Sequence, residues 1–161
     1  MKVKLLWAVG AAAAGILVAS LVTGPYDTVS GAGGGGAVLL QSAQLDTGAA
    51  ATLRRTCGNC HSNQTEWPWY SHVAPVSWLL RKDVSNGRKF LNFSVWPEYG
   101  AEGQAQLLAL AAAQIKGESM PPRRYLVLHA EARLSHQERS YLIAALERES
   151  ARVSGTIQSS H

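Results

Sequence analysis

The stretch CGNCHSNQTEWPWYS, Cys57 to Ser71, concentrates the reactive side chains of this sequence. It holds both cysteines of a 161-residue chain, three positions apart, with a histidine directly after the second. On a helical turn, side chains at i and i+3 lie on one side. Two thiols so placed can meet the two vinyl groups on one edge of a haem, and His61 can then offer an imidazole nitrogen to the iron. Gly58 and Asn59 are small or turn-tolerant, so the backbone between the thiols can lie close to a flat ring. Cys57, Cys60 and His61 therefore read as a c-type haem attachment site, with His61 as iron ligand and one covalent haem c as the cofactor.

Three other chemistries compete for these residues. A disulfide across three positions closes a very small loop and constrains little of the unfolded chain. A thioredoxin-like dithiol wants a βαβ context, which this region lacks. A structural zinc site wants four ligands, usually from two separated pairs, and the chain has no second cysteine pair. Haem attachment remains the best fit.

Met120 is the candidate for the second axial position. It sits in GESMPPRRY, where Pro121 and Pro122 stiffen the backbone and remove donors, so a thioether can be held without helix competition. A core-filling role is the ordinary use of a methionine. His129, after YLVL, is the alternative distal ligand. Trp67, Trp69, Tyr70, Trp78, Trp96 and Tyr125 can wall a flat apolar ring, or simply pack a core. Arg88, Arg123 and Arg124 can pair with haem propionates, although solvation at the surface is the commoner role for any one arginine. His72 and His136 read as solvent-facing or capping, and His161 ends a Ser-rich tail.

These groups need a scaffold, and the pattern predicts an all-α one. Asp46 or Thr47 can cap a short helix through Arg55 that runs into Cys57. Pro75 fits the first turn of a second helix, with Val76, Leu79, Leu80 and Val84 on one side and Gly87 near its end. A third spans about Glu102 to Lys116 and stops at Gly117. The fourth opens on the capping box Ser135-x-x-Glu138, with Tyr141, Leu142, Ala145 and Leu146 as its apolar stripe. No alternation of period two is convincing, and YLVLH is short and ambiguous.

Lys2 and Lys4 precede an uncharged, mostly apolar run from Leu5 to Val22. A basic start and an apolar centre describe an export signal, here long enough to span a membrane. Val18-x-Ser20 resembles a cleavage site but lies inside the run, which favours an uncleaved signal anchor over a cleaved peptide. The positive end stays cytoplasmic, so the rest of the chain crosses to the bacterial periplasm, tethered to the inner membrane by residues 5–22. The expected order is a signal anchor or signal peptide (1–23), a Gly-rich linker (24–45) holding SGAGGGGA, a haem-binding domain (46–152) and a disordered tail (153–161). The net charge of +4 suits anionic groups such as propionates, anionic lipid or acidic proteins. Only short Lys/Arg pairs occur, which argues against nucleic acid as a partner.

The combination of CGNCH with WPWYS, APVSW, GR…LNFS.W and MPP..Y…H resembles a small bacterial haem-binding domain family built on a single Cys-x-x-Cys-His. The likeness covers about Thr56 to Leu146. It implies a compact, all-α, cytochrome c-like domain around one covalent haem, held by Cys57, Cys60 and His61, with Met120 as distal ligand. The expected function is that of a mono-haem periplasmic electron carrier, not an enzyme, exchanging electrons with redox proteins of the periplasm or inner membrane. The alternative is a haem-based sensor or peroxidase-like module with an open or labile distal site. A third reading is a membrane-anchored assembly factor in which haem is structural.

Overall fold

Asp46 opens the first helix of the folded domain: its side chain accepts the Ala49 N–H at 2.9 Å, and the helix runs unbroken from Thr47 to His61. In the computed structural model, which describes residues 2–22, Leu39 and 43–158, the regular elements are all helical. They are α1 (Lys2–Val22), α2 (Thr47–His61), α3 (Val76–Phe90), α4 (Gly100–Lys116) and α5 (His136–Gln158). Short 3-10 turns at Trp69–His72, Phe93–Tyr99, Tyr125–Val127 and Ala130–Ala132 fill the connections, so YLVLH forms no strand. Nearly all of the expected Gly-rich linker lies outside the described residues.

The core is built on α4 and α5. Leu108, Ala112 and Ile115 of α4 are buried with Leu142, Ala145 and Leu146 of α5, and the alanines let the helix axes approach closely. Two side chains tie the pair along its length: Arg139 donates to the Ile115 carbonyl at 2.6 Å, and Ser150 to the Ala105 carbonyl at 2.8 Å. The predicted capping box forms, with Ser135 N–H donating to Glu138 and Glu138 N–H donating to Ser135 Oγ. α5 continues to Gln158, through residues expected as tail, because Val153 is still buried and keeps the last turns docked. Leu53 of α2, Phe93 and Trp96 complete the same core.

α2 runs past Arg55 and through the whole Cys-x-x-Cys-His motif. Its core side, Ala49, Leu53 and Thr56, is buried, so packing holds the helix that local sequence alone would end. Ser62 closes it by donating to the Gly58 carbonyl at 2.8 Å. α1 is different. The span Lys2–Ser20 has a mean hydropathy of 1.8 and none of it is buried, so by length and composition it can cross a membrane.

Candidate functional site

Cys57 and Cys60 stand on the last turns of α2, and neither is in a disulfide. Cys57 packs against the core, with Thr56 Oγ1 at 3.2 Å from its sulfur. Burial pushes its thiol above the ordinary range. Cys60 is pushed up to about 11, first by burial, then by the Asp83 carboxylate and by the neighbouring Cys57 sulfur, which would ionise in the same range. Both sulfurs are therefore held as neutral thiols near pH 7. In the folded apoprotein, alkylation of Cys60 should keep accelerating up to pH about 11, whereas in the unfolded chain it levels off near 9.0. Coincident profiles for the folded and urea-unfolded chains would show that this thiol is not buried.

The hydrogen bonding of His61 prepares it as a metal ligand. Its Nδ1 lies 2.9 Å from the Leu91 carbonyl. A carbonyl only accepts, so Nδ1 carries the proton and Nε2 keeps its lone pair. Burial lowers the imidazole pKa, partly opposed by bonds to the Leu91 and Gly87 carbonyls, which favours the neutral ring a metal requires. Phe93 lies against the ring, centroid to centroid 5.9 Å.

The Leu91 carbonyl is delivered by close packing of α3 on α2. Gly87 faces the end of α2 so closely that a Cβ there would sit 2.5 Å from the Cys60 carbonyl oxygen and 3.2 Å from Cys60 Cβ. Only a residue without a side chain permits this approach. Next to it Arg88 donates to the Ser62 carbonyl (2.8 Å) and to Thr65 Oγ1 (2.9 Å), strapping the segment after the motif to α3. Asn92 continues the brace: its amide donates to Asn63 Oδ1 at 2.9 Å, its Oδ1 accepts Ser94 N–H at 2.9 Å, and Tyr99 OH accepts its backbone N–H at 2.9 Å. Gly87→Ala should therefore cost about 1–3 kcal/mol, the range for overpacking. It should also reduce haem loading, because the clash separates Leu91 from His61. Gly155→Ala is the contrast, since nothing lies within 4 Å of its added Cβ. In a helix interior that change should stabilise by up to about 1 kcal/mol. Thermal melts of the two variants should move in opposite directions.

A second set of contacts closes over the motif from the segment after α4. Asn59 donates to Tyr125 OH at 3.2 Å. Tyr125 stacks on His129, centroids 4.0 Å apart and 16° from parallel. His129 has both ring nitrogens engaged: Nδ1 is 2.8 Å from the Glu131 carboxylate and Nε2 is 2.7 Å from Tyr70 OH. Arg55 steadies the same segment through the Glu131 and Arg133 carbonyls and the Glu138 carboxylate. Met120 is half-buried at the start of this segment. Its N–H donates to the Gln114 carbonyl at 3.3 Å, and the Ser119 N–H donates to the same oxygen at 3.1 Å. Arg124, four residues on, pairs with Asp83 of α3 at 2.7 Å.

The other residues singled out by the sequence are dispersed. Trp67 is partly buried, and its indole Nε1 is buried without an acceptor among the described residues. Trp69 is 80% exposed and Trp78 is 49% exposed. Trp96 lies in the main core, edge-on to Tyr99. Arg88 is drawn to the protein's own oxygens, and Arg123 is solvated, with its guanidinium 4.0 Å from Glu118. His72 and His136 are exposed, His136 in the first turn of α5, and His161 lies outside the described residues. Sequence reasoning missed three members of the site. The Leu91 carbonyl left no signal. A glycine inside a helical stretch marked Gly87. Glu131, beside His129, looked like any surface acid.

Residues 35–148 match a family model described as a haem-binding domain. Comparison with curated proteins gave no match, and neither did comparison with solved structures.

Proposed function

The chain belongs to the haem-binding domain family, and from that premise we propose that it is a c-type, mono-haem electron carrier held at the periplasmic face of the inner membrane. The observation that carries this reading is the last turn of α2. Two thiols free of disulfide stand three apart, beside an imidazole whose Nδ1 is committed to Leu91 and whose Nε2 is left for iron. The residues fit the group in a further respect. The buried Trp67 Nε1 has no acceptor among the described residues, and a haem carboxylate is an acceptor of the right kind.

Cys57 and Cys60 would hold the group covalently, each thiol adding across one vinyl group, sulfur to one carbon and hydrogen to the other, with no net oxidation. His61, its tautomer fixed by the Leu91 carbonyl, would hold the iron on one side, and Met120 is the residue we assign to the other. His129 is the poorer candidate, because ligation would cost it either the Tyr70 or the Glu131 hydrogen bond. Bound haem supplies a one-electron iron couple, and a thioether opposite an imidazole raises its potential relative to two nitrogens. Phe93, against the His61 ring, and Tyr125, bonded to Asn59, are the aromatic side chains that touch the motif and would shield a bound ring from water. α1 supports the membrane attachment, and a tether raises the effective concentration of the domain near membrane redox partners.

The test is an absorption spectrum of protein matured in a haem-attaching host, oxidised and reduced, with and without carbon monoxide. A carrier with both axial positions filled gives a low-spin spectrum that carbon monoxide leaves unchanged. Rapid carbon monoxide binding, or a high-spin ferric spectrum, would make it a sensor or peroxidase-like module instead.

A further inference from the structure

The end of α1 meets the haem-binding domain at a defined point. Ala74 N–H donates to Ser20 Oγ at 3.0 Å, while Ser20 donates in turn to the Ile16 carbonyl at 2.7 Å. Ala74 is buried there, only 4% exposed. The large apolar side chains around it are exposed. Val73 is 38% exposed, Val76 is 37%, Leu79 is 47% and Trp69 is 80%. Lys82, on the next turn of α3, is also exposed.

The location of this apolar patch follows from that of Ser20. A spanning helix of this length puts its last residues at the level of the lipid headgroups. A backbone nitrogen 3.0 Å from Ser20 Oγ lies at the same depth. Val73 and Val76 are within two residues of Ala74, so they lie no more than about 7 Å from it along the chain. That distance is comparable to the roughly 5–10 Å thickness over which amphipathic segments bury in the boundary layer. The chemistry agrees with the depth. Tryptophan is enriched at that boundary, aliphatic side chains gain by leaving water, and lysine is attracted to anionic headgroups.

We propose that Trp69, Val73, Val76 and Leu79 seat the haem-binding domain on the bilayer surface from which α1 emerges. The domain is then held with one face on the lipid, and it presents a fixed side to partners in the same membrane. The inference rests on reading α1 as an uncleaved anchor.

The experiment uses the full, haem-loaded chain in vesicles of zwitterionic lipid with an anionic fraction. A photoreactive benzophenone amino acid is placed singly at Ala13, Val73, Val76 and Leu110, the last being an exposed position on α4. After irradiation, lipid adducts are read by mass. The expected result is adducts at Ala13, Val73 and Val76 and none at Leu110. In a Trp69→Glu background, the Val73 and Val76 adducts should fall while the Ala13 adduct persists. Adducts at Ala13 without any at Val73 and Val76 overturn the docking and leave the anchor standing. No adduct at Ala13 overturns the anchor reading, and the docking with it. A protein–protein adduct at Val73 or Val76 in place of lipid also overturns the proposal, since the patch would then face a second chain.

Discussion

A chain with serine at both Cys57 and Cys60 emerges from a haem-maturing host with the intact mass of bare polypeptide, and acid extraction removes whatever pigment it carries. The loss is complete, because these are the only two cysteines in the sequence and no other side chain forms a stable thioether. Serine is a demanding replacement at Cys57, which packs against the core, since a buried hydroxyl costs about 1–3 kcal/mol unless it finds a partner. Thr56 Oγ1, already 3.2 Å from the sulfur, is that partner. The single variant Cys60→Ala separates attachment from folding. It keeps Cys57 in the core and removes the thiol that faces α3, so it should retain one thioether and lower the yield of covalent haem without abolishing it. Circular dichroism of the double variant should show α4 and α5 intact, because their shared face, from Leu108 to Leu146, is filled by protein side chains. Covalent pigment surviving in the double variant would rule out attachment through α2 altogether.

Residues marked by a local pattern were legible in the sequence, and those that act through a backbone carbonyl or a partner fixed only by the fold, such as Leu91 and Glu131, were not. Cys57, Cys60 and His61 are identified by spacing alone. So are Ser135 and Glu138, because a capping box is a local device whose two members satisfy each other. The Leu91 carbonyl is invisible, since every residue owns one and only the fold decides which reaches His61. Gly87 was readable as a helix residue, yet its reason lies 27 positions earlier in the sequence (87 − 60), at Cys60. Residue type also failed to sort the tryptophans. Trp96 and Trp69 look alike in sequence, but one is 2% exposed in the core and the other 80% exposed at the surface. The end of α2 was set by tertiary burial of Leu53 and Thr56, which overrides the weak helix propensity of a Cys-Gly-Asn run. Val153 extended α5 in the same way.

Removing the Met120 thioether should have the second large effect. Met120→Ala should abolish the methionine-to-iron charge-transfer band of the oxidised protein and make the reduced protein bind carbon monoxide rapidly. Its midpoint potential should fall by on the order of a hundred millivolts, a fraction of the roughly 0.8 V that axial ligands span. The direction follows from the ligand: a thioether favours reduced iron, and water or a nitrogen does so less. The Met120 turn is held by the Ser119 and Met120 N–H groups, which both donate to the Gln114 carbonyl, and, further along, by the Arg124–Asp83 pair. The pair is exposed on the Arg124 side, so breaking it costs at most about 1 kcal/mol and should loosen the ligand without removing it. His129→Ala is the discriminating partner experiment. It breaks the contacts to Tyr70 and Glu131 and should lower stability while leaving the charge-transfer band and the carbon monoxide insensitivity as they were. If instead Met120→Ala keeps both properties and His129→Ala loses them, the iron is held between two imidazoles. The Tyr70–His129–Glu131 chain must then break when the haem is bound, and a lower-potential carrier replaces the one proposed.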